Sequence, residues 1–210
     1  MNKNKIAVDL FNKFATLYEE KYMDVTMYGD TFDFFCDAVQ TVQPYILELA
    51  CGPGNITKYL LDRRPDFNIL ATDLAPNMVE RAKINNPTAV FKIMDCREIG
   101  QLTDKFDAIM CGFCLPYIDA EETGAFIAAA SNIMKPGAVI YISTMEDDYS
   151  KSGFRKGSTG DEVFMYFYKE DFLVNVFEKN DFKIMKVDRK DFPSNDGSKV
   201  TDLVIIAKKL

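Results

Sequence analysis

Three short segments carry groups that could bind a nucleoside-containing ligand. The first is a glycine-containing turn at residues 48–54, which follows an apolar run and precedes a helical pattern. Gly52 and Gly54 have no Cβ, so the turn can bend sharply and its backbone can approach a ligand closely. The free N–H groups at the start of the next helix favour a carboxylate or another anion. Taken alone, the turn could equally be a tight strand-to-helix connection.

The other two segments place an aspartate after an apolar run. Asp73 follows residues 68–72 and could accept hydrogen bonds from both ribose hydroxyls of a nucleoside. Asp95 follows residues 89–94, where its carboxylate or a backbone N–H could meet the polar edge of an adenine. Each acid could instead cap a helix or a turn. Three such positions after three consecutive strands are much less expected by chance.

Positioning these groups requires strands that end at one edge of a sheet. From about residue 45, short apolar runs alternate with helical patterns, which predicts a parallel sheet built from βαβ units. The first five predicted strands lie at residues 45–49, 68–72, 89–94, 106–110 and 138–143. The predicted helices among them lie at residues 55–61, 76–84 and 121–134.

The end of the pattern differs from its beginning. A helix at residues 169–179 precedes two closing strands at residues 182–188 and 200–207. Antiparallel pairing of these strands is favoured by the turn-forming residues between them, Pro193, Asn195, Asp196 and Gly197.

Two segments lie outside the βα repeat and could cover an active site. The first 43 residues are rich in Phe and Tyr and predict two helices, at residues 6–22 and 31–42. Residues 146–161 are polar and contain glycines, so we expect a mobile loop there. We therefore divide the chain into a helical cap or lid at residues 1–43 and a main domain at residues 44–210.

Five segments in order resemble the motifs of the class I S-adenosylmethionine-dependent methyltransferases, specifically their small-molecule branch. They read ELACGPG at 48–54, DLAPNM at 73–78, DCREI at 95–99, FDAIMCGF at 106–113 and MKPGA at 134–138. The resemblance covers about residues 45–210. It implies an α/β fold: a Rossmann-like, doubly wound sheet of seven strands, mostly parallel with an antiparallel C-terminal strand, plus the N-terminal helical cap. It also implies S-adenosylmethionine as cofactor and S-adenosylhomocysteine as product.

The resemblance implies cofactor contacts at Tyr18, Tyr22, Glu48, Ala50, Gly52, Gly54, Asp73, Leu74, Met78, Asp95, Cys96, Arg97, Cys111 and Gly112. Met78 would pack on the adenine or ribose, and Tyr18 or Tyr22 would touch the cofactor carboxylate. Glu48 would reach the methionine ammonium, directly or through water, or would only accept the turn's N–H groups. Two residues depart from the family pattern. Ala50 stands where glycine is usual, and Ala75 replaces a serine that would cap the next helix.

The substrate-binding candidates are Tyr28, Phe113, Tyr117, Phe164 and Tyr166. Tyr117 is also the catalytic candidate, because it could position an acceptor or act as a weak base. It could equally be a core tyrosine. Methyl transfer from a sulfonium mainly needs proximity, alignment and a dry pocket, and a base is needed only when the acceptor must lose a proton. Oxygen, nitrogen, sulfur and carbon acceptors all stay open.

Composition restricts the classes of partner. The 210 residues carry a net charge of −7 with scattered Lys and Arg, which argues against nucleic acid and favours a small-molecule acceptor. No apolar run approaches the ~18 residues of a membrane span, and the first residues lack the apolar core of a signal peptide. We therefore expect a cytoplasmic monomer or homodimer without membrane association. The chain has no histidine, and we predict no metal site and free cysteines.

Two other functions fit parts of the pattern. A non-catalytic module that binds S-adenosylmethionine or S-adenosylhomocysteine would carry the same motifs, because they specify binding only. A nicotinamide-dependent oxidoreductase would place a third glycine where Thr57 stands. Cys111 and Cys114 have the spacing of a redox dithiol, but Pro116 comes too soon for a helix beginning at Cys114.

Overall fold

A computed structural model describes residues 3–157, 160–193 and 199–210. The helices of this part of the chain are α1 (Lys3–Lys13), α2 (Ala15–Tyr22), α3 (Gly29–Ala38), α4 (Asn55–Arg63), α5 (Pro76–Asn85), α6 (Ala120–Ile133) and α7 (Glu170–Glu178). Its strands are β1 (Tyr45–Leu49), β2 (Asn68–Asp73), β3 (Val90–Ile93), β4 (Phe106–Gly112), β5 (Met134–Glu146), β6 (Gly153–Lys156), β7 (Glu162–Met165), β8 (Phe182–Pro193) and β9 (Lys199–Lys209).

Seven of these strands form one sheet in the order β3-β2-β1-β4-β5-β9-β8. The pairs from β3 to β5 are parallel, whereas β9 runs antiparallel to both β5 and β8. This confirms the predicted mostly parallel sheet with an antiparallel closing strand. The predicted turn residues Asn195, Asp196 and Gly197 lie outside the described residues.

Helices cover both faces of the sheet, so the central strands are apolar on both sides. On one face, Phe126 of α6 and Phe177 of α7 pack with residues such as Ile109 of β4. On the other face, Phe35 of α3 and Leu60 of α4 pack with β4 and β5. The parallel strands therefore end at one edge, as the motif analysis requires.

The predicted cap divides into two parts. The expected helix at residues 6–22 breaks at Phe14, whose backbone (φ −109°, ψ 21°) separates α1 from α2. Helix α3 packs in the sheet core, because Phe32 and Phe35 are fully buried there. Only α1 and α2 therefore lie over the edge of the sheet where the motifs meet.

Residues 146–161, where a mobile loop was expected, contain a regular strand in their described part. Gly153–Lys156 pairs antiparallel with Glu162–Met165, so a two-stranded hairpin stands there. Phe154 and Phe164 lie opposite each other and their rings are 5.3 Å apart, which favours the pairing. Among the described residues, no helix combines the length and apolar character needed to span a membrane.

Candidate active site

A cavity of about 780 Å³, including its mouth, lies at the carboxyl edge of the sheet under α1 and α2. Its wall is formed by the segments that follow β1, β2, β3 and β4, together with the two helices. Of the predicted cofactor residues, the cavity is lined by Tyr18, Ala50, Gly52, Asp73, Leu74, Met78, Asp95, Cys96 and Gly112. The structure therefore brings four of the five motif segments and the first helices to one place.

The turn after β1 has left-handed backbone at three alternate residues. The φ angles are +52° at Ala50, +54° at Gly52 and +82° at Gly54. A residue with a Cβ pays roughly 1–2 kcal/mol for this conformation, whereas glycine pays little. Ala50 thus adopts a backbone conformation that is less favourable for alanine than it would be for glycine. The effect of Ala50 on the position of the cofactor's amino-acid part stays a prediction.

Gly54 does not line the cavity, and its role is in packing. A Cβ on Gly54 would lie 2.3 Å from Asn86 Nδ2 and 3.2 Å from two atoms of Ala82. The residue lets the start of α4 approach the end of α5, where Asn86 Nδ2 donates to the Gly54 carbonyl at 2.9 Å. Any contribution of Gly54 to ligand binding is therefore indirect.

Asp73 connects two of the motif segments. Its Oδ2 accepts the Gly52 N–H at 2.9 Å, and its Oδ1 accepts the Ala75 N–H at 2.8 Å. Each oxygen therefore has acceptor capacity left for a further donor. Burial raises the pKa of Asp73, and the backbone N–H groups oppose that shift. Ala75 has no capping side chain, so Asp73 supplies the oxygen at the start of α5.

Asp95 lines the cavity but already has protein partners. Its Oδ1 accepts the Arg97 N–H at 2.9 Å, and Arg97 Nη1 also pairs with Glu122 at 2.7 Å. Burial opposes ionisation, but the Arg97 hydrogen bonds outweigh it and hold the pKa of Asp95 below its ordinary value. Arg97 lies behind Asp95 and does not line the cavity. Asp95 is thus a helix cap whose segment borders the cavity.

Glu48 lies beneath the turn and is 1% exposed. Its Oε2 accepts the Thr57 hydroxyl at 2.7 Å, and its Oε1 has no hydrogen-bond partner among the described residues. Burial raises the pKa of Glu48 to about 8. The side chain is therefore mostly protonated at neutral pH and does not reach the cavity surface.

Helices α1 and α2 close the cavity through apolar and aromatic contacts. Ala7, Val8 and Phe11 of α1 line it, and the Phe11 ring meets the Tyr18 and Tyr117 rings edge-on at 5.7 and 5.2 Å. A Cβ on Gly52 would lie 3.8 Å from the Tyr18 ring. Sequence reasoning did not assign Ala7, Val8 and Phe11 to the site, although their helical spacing already placed them on one face.

The tyrosine after Tyr18 on the same helix face lies farther out. Tyr22 packs on the Tyr18 ring at 4.5 Å, is 42% exposed and does not line the cavity. Of the two tyrosines proposed to touch the cofactor carboxylate, Tyr18 is therefore the better placed.

Tyr117 lines the cavity, and its hydroxyl makes no hydrogen bond to the described residues. Burial raises the pKa of Tyr117 above its ordinary value. The side chain is therefore a neutral phenol at neutral pH, which can donate a hydrogen bond but is a poor base. This geometry favours the positioning role among those open for Tyr117.

The remaining acceptor candidates fall into two groups. Phe113 lines the cavity, and Tyr28 packs against it with ring centroids 5.5 Å apart. Phe164 and Tyr166 lie instead on the hairpin side of α1, where Lys3 Nζ is 3.5 Å from the Phe164 ring centroid. They hold the start of α1 and do not line the cavity, so a direct contact with an acceptor is not supported for them.

Cys114 lies close to two other cysteines, Cys111 and Cys96. Cys114 Sγ lies 3.1 Å from Cys96 Sγ, and both residues line the cavity. Cys111 is fully buried in β4 and lies outside the cavity wall. Beside it, a Cβ on Gly112 would lie 2.4 Å from Ile56 Cδ1, so a larger residue there would require the end of the Ile56 side chain to move. Within the described ranges, no group of three His, Cys, Asp or Glu side chains could hold a metal ion.

Comparisons with known proteins agree with this geometry. The family model described as a methyltransferase domain matches residues 46–137. A malonyl-[acyl-carrier protein] O-methyltransferase from Acetivibrio thermocellus is 33% identical over 101 residues, covering 47% of this chain and 35% of that protein. The chain spans 47% and 35% of the length of the first two curated relatives that it matches.

Two solved structures share the fold over almost the whole chain. An S-adenosylmethionine-dependent methyltransferase from Clostridium acetobutylicum has a TM-score of 0.70 at 22% identity, covering 95% of this chain and 99% of that one. Magnesium protoporphyrin IX methyltransferase from Synechocystis PCC 6803, solved with bound S-adenosylmethionine, has a TM-score of 0.72 at 15% identity. The match covers 100% of this chain and 98% of that one. The chain thus contains a segment that matches a methyltransferase domain, and its fold is that of S-adenosylmethionine-dependent methyltransferases.

Proposed function

We propose that the protein transfers the methyl group of S-adenosylmethionine to a small-molecule acceptor. The observation that carries this proposal is the cavity in which Asp73, the left-handed turn after β1 and the Tyr18 ring face one space. The donors and acceptors around that space match a nucleoside joined to an amino acid. The matched methyltransferase domain supports the same reading.

The residues fit the cofactor in three respects. Asp73 has free acceptor capacity at both oxygens, as a ribose diol requires. Met78 and Leu74 give an apolar wall beside it. Glu48 Oε1 is buried behind the turn with no hydrogen-bond partner among the described residues, where a water could connect it to an ammonium group.

The cofactor would supply an already activated methyl group, so the chain needs to orient and enclose the reactants. Asp73 and the Gly52 turn would fix the nucleoside end. Helix α1 would keep water out, because its Ala7, Val8 and Phe11 side chains present only apolar surface to the cavity. Tyr117 would hold the acceptor by donating a hydrogen bond.

The assignment of a small acceptor rests on the enclosure and on charge. The charged side chains among the described lining residues are Asp73 and Asp95, and no Lys or Arg lines the cavity. A nucleic acid would need cations to offset phosphate repulsion. The aromatic wall of Phe11, Phe113 and Tyr117 suits a compact organic molecule.

Calorimetry and turnover test the proposal in sequence. S-adenosylhomocysteine should bind, whereas nicotinamide dinucleotides should not. Methyl-labelled S-adenosylmethionine should then pass label to the small-molecule fraction of a metabolite extract. Binding without any transfer to a broad acceptor panel would identify a non-catalytic module. Tight dinucleotide binding without S-adenosylhomocysteine binding would overturn the proposal.

A further inference from the structure

Two thiols meet in the wall of the cavity. Cys96 directly follows Asp95 in the segment after β3, and Cys114 lies in the segment after β4. Their Sγ atoms are 3.1 Å apart, and both residues line the cavity. Strands β3 and β4 are not neighbours in the sheet, so the segments beyond their ends bring the two thiols together. The proposed methyl transfer makes no use of such a pair.

The same two segments hold the first helix over the cavity. Arg97, next to Cys96, donates from Nη2 to Asn4 Oδ1 at 3.2 Å. Asn4 Nδ2 donates to the Tyr117 carbonyl at 3.4 Å, and the Tyr117 N–H donates to the Cys114 carbonyl at 3.0 Å. The Asn4 side chain, near the start of α1, therefore joins the two segments that carry the thiols. A change in the distance between these segments would act on the cavity wall and on α1 together.

The two thiols differ in access. Cys96 is partly exposed, whereas Cys114 is 5% exposed. The hydrogen bond to Cys114 and burial raise the pKa of Cys96, and the hydrogen bond to Cys111 and burial raise the pKa of Cys114. Both groups are therefore protonated at neutral pH, so their exchange with disulfides is slow there and faster at higher pH. Reaction should begin at Cys96, because a reagent in the cavity reaches it more easily.

We propose that Cys96 and Cys114 are a modification site, at which a low-molecular-weight disulfide oxidises the pair to a reversible disulfide that weakens cofactor binding. This inference rests on the proposed function. A disulfide needs a sulfur separation of about 2 Å, so the two sulfurs must approach each other by about 1 Å. Because Cys96 directly follows Asp95, this movement draws the segment after β3 toward the segment after β4. The cavity narrows where the third motif lines it, and the seat of α1 shifts with it.

The oxidation proceeds in two exchange steps. The Cys96 thiolate attacks one sulfur of the small disulfide, whose sulfur–sulfur bond breaks and releases one small thiolate. The Cys114 thiolate then attacks the Cys96 sulfur of the mixed disulfide and displaces the second small thiolate. The two protein thiols are oxidised, and one small disulfide is reduced to two thiols that take up the two protons. A reducing thiol in excess reverses both steps.

Binding and oxidation should oppose each other to the same extent, because the two equilibria are thermodynamically linked. The full chain is brought to equilibrium with bis(hydroxyethyl) disulfide and mercaptoethanol at a series of ratios. Calorimetry then compares S-adenosylhomocysteine binding to the reduced and the oxidised protein, and we expect about tenfold weaker binding after oxidation. S-adenosylhomocysteine that saturates both forms should make oxidation less favourable by the same factor.

Cysteine variants identify the pair that responds. Peptide mapping of the oxidised wild type should find Cys96 joined to Cys114, and mercaptoethanol in excess should restore the affinity. In Cys96→Ser and in Cys114→Ser, the loss of affinity on oxidation should disappear. Cys111→Ser should keep it, although Cys111 also contacts Cys114. Cys36→Ser is the control for oxidation elsewhere and should keep it as well, because Cys36 is buried in α3 and does not line the cavity.

The outcomes separate this inference from the proposed function. An oxidised wild type that keeps its S-adenosylhomocysteine affinity would overturn the inference alone. A mapped bridge from Cys114 to Cys111, or no bridge at equilibrium with the oxidant, would do the same. Reduced protein that does not bind S-adenosylhomocysteine would instead overturn the proposed function and this inference with it.

Discussion

The Asp73 carboxylate accepts the Gly52 N–H at 2.9 Å, so one side chain joins the turn after β1 to the end of β2. Its second oxygen accepts the Ala75 N–H at the start of α5 at 2.8 Å. Asp73 thus holds the turn and the start of α5 in place as well as offering acceptors to a ligand. Its substitution should therefore lower both the free energy of unfolding and the affinity for ligand.

Asp73→Asn should weaken S-adenosylhomocysteine binding by about 1–3 kcal/mol, because charge-assisted hydrogen bonds to the ribose are lost. It should also lower the free energy of unfolding by about 1 kcal/mol, since an amide supplies only one acceptor oxygen. Calorimetry and urea denaturation measure the two effects. Asp107→Asn is the matched control: Asp107 accepts the Tyr45 N–H at the opposite edge of the sheet. It should change stability only, and equal affinity losses in both variants would contradict the role of Asp73.

Ala50→Gly should leave the free energy of unfolding unchanged or increase it by up to about 1 kcal/mol. Glycine relieves the left-handed strain at φ +52° but adds freedom to the unfolded chain. Gly52→Ala, at a nearly identical φ of +54°, should lower it by about 1 kcal/mol. Urea denaturation of the two reciprocal variants checks the argument. Destabilisation by Ala50→Gly larger than that by Gly52→Ala would show that packing, not backbone conformation, decides at Ala50.

Stability should fall as the pH rises through the titration of Glu48. The pKa of Glu48 is about 8 in the folded protein against 4.5 as its ordinary value. Between pH 4.5 and pH 8, Glu48 carries a proton in the folded protein but not in the unfolded chain. Its contribution to the free energy of unfolding is therefore complete below pH 4.5 and is lost as the pH approaches 8. The slope should reach up to ~1 kcal/mol per pH unit. In Glu48→Gln, urea denaturation from pH 5 to 8 should give a flatter profile; an unchanged slope would assign the dependence to other groups.

Ligand binding should slow hydrogen exchange in α1 and α2 but not in α3. Helix α1 is held over the cavity by a few contacts, including those of Asn12 with both the backbone and the side chain of Asn77, at 2.8 Å each. Helix α3 is an internal control, because Phe35 anchors it in the sheet core. Adding S-adenosylhomocysteine should protect the first two helices selectively. Equal protection of all three helices, or of none, would contradict a lid.

The motif segments could be located from the sequence because each depends on local chemistry. A glycine or an acid directly after an apolar strand is visible as a pattern, and the parallel sheet then brings these positions together. This is why Gly52, Asp73 and Asp95 were placed correctly at one edge. The antiparallel closing pair followed in the same way from the turn-forming residues before β9.

Contacts between distant elements could not be predicted in this way. Asp202 lies within an ordinary apolar strand pattern, and only the position of β9 beside β5 brings it near Tyr28. Phe164 and Tyr166 were predicted to bind the acceptor, but they do not line the cavity. The position of the hairpin against α1 is set by tertiary packing, which the local sequence pattern does not show. Glycines at 153, 157 and 160 suggested a loop, but Gly153 lies in β6, where the cross-strand pairing of the phenylalanines outweighs its low strand propensity.

The position of β9 also restricts when the protein can fold during its synthesis. β9 is made after β8 but is inserted between β8 and β5, and Leu203 to Ala207 are at most 1% exposed. Until these residues leave the ribosome, the edge of β5 has no neighbour and the apolar faces that it shares with β9 stay open. A nascent chain stalled before residue 199 would therefore present an unpaired, hydrophobic strand to chaperones and to other chains.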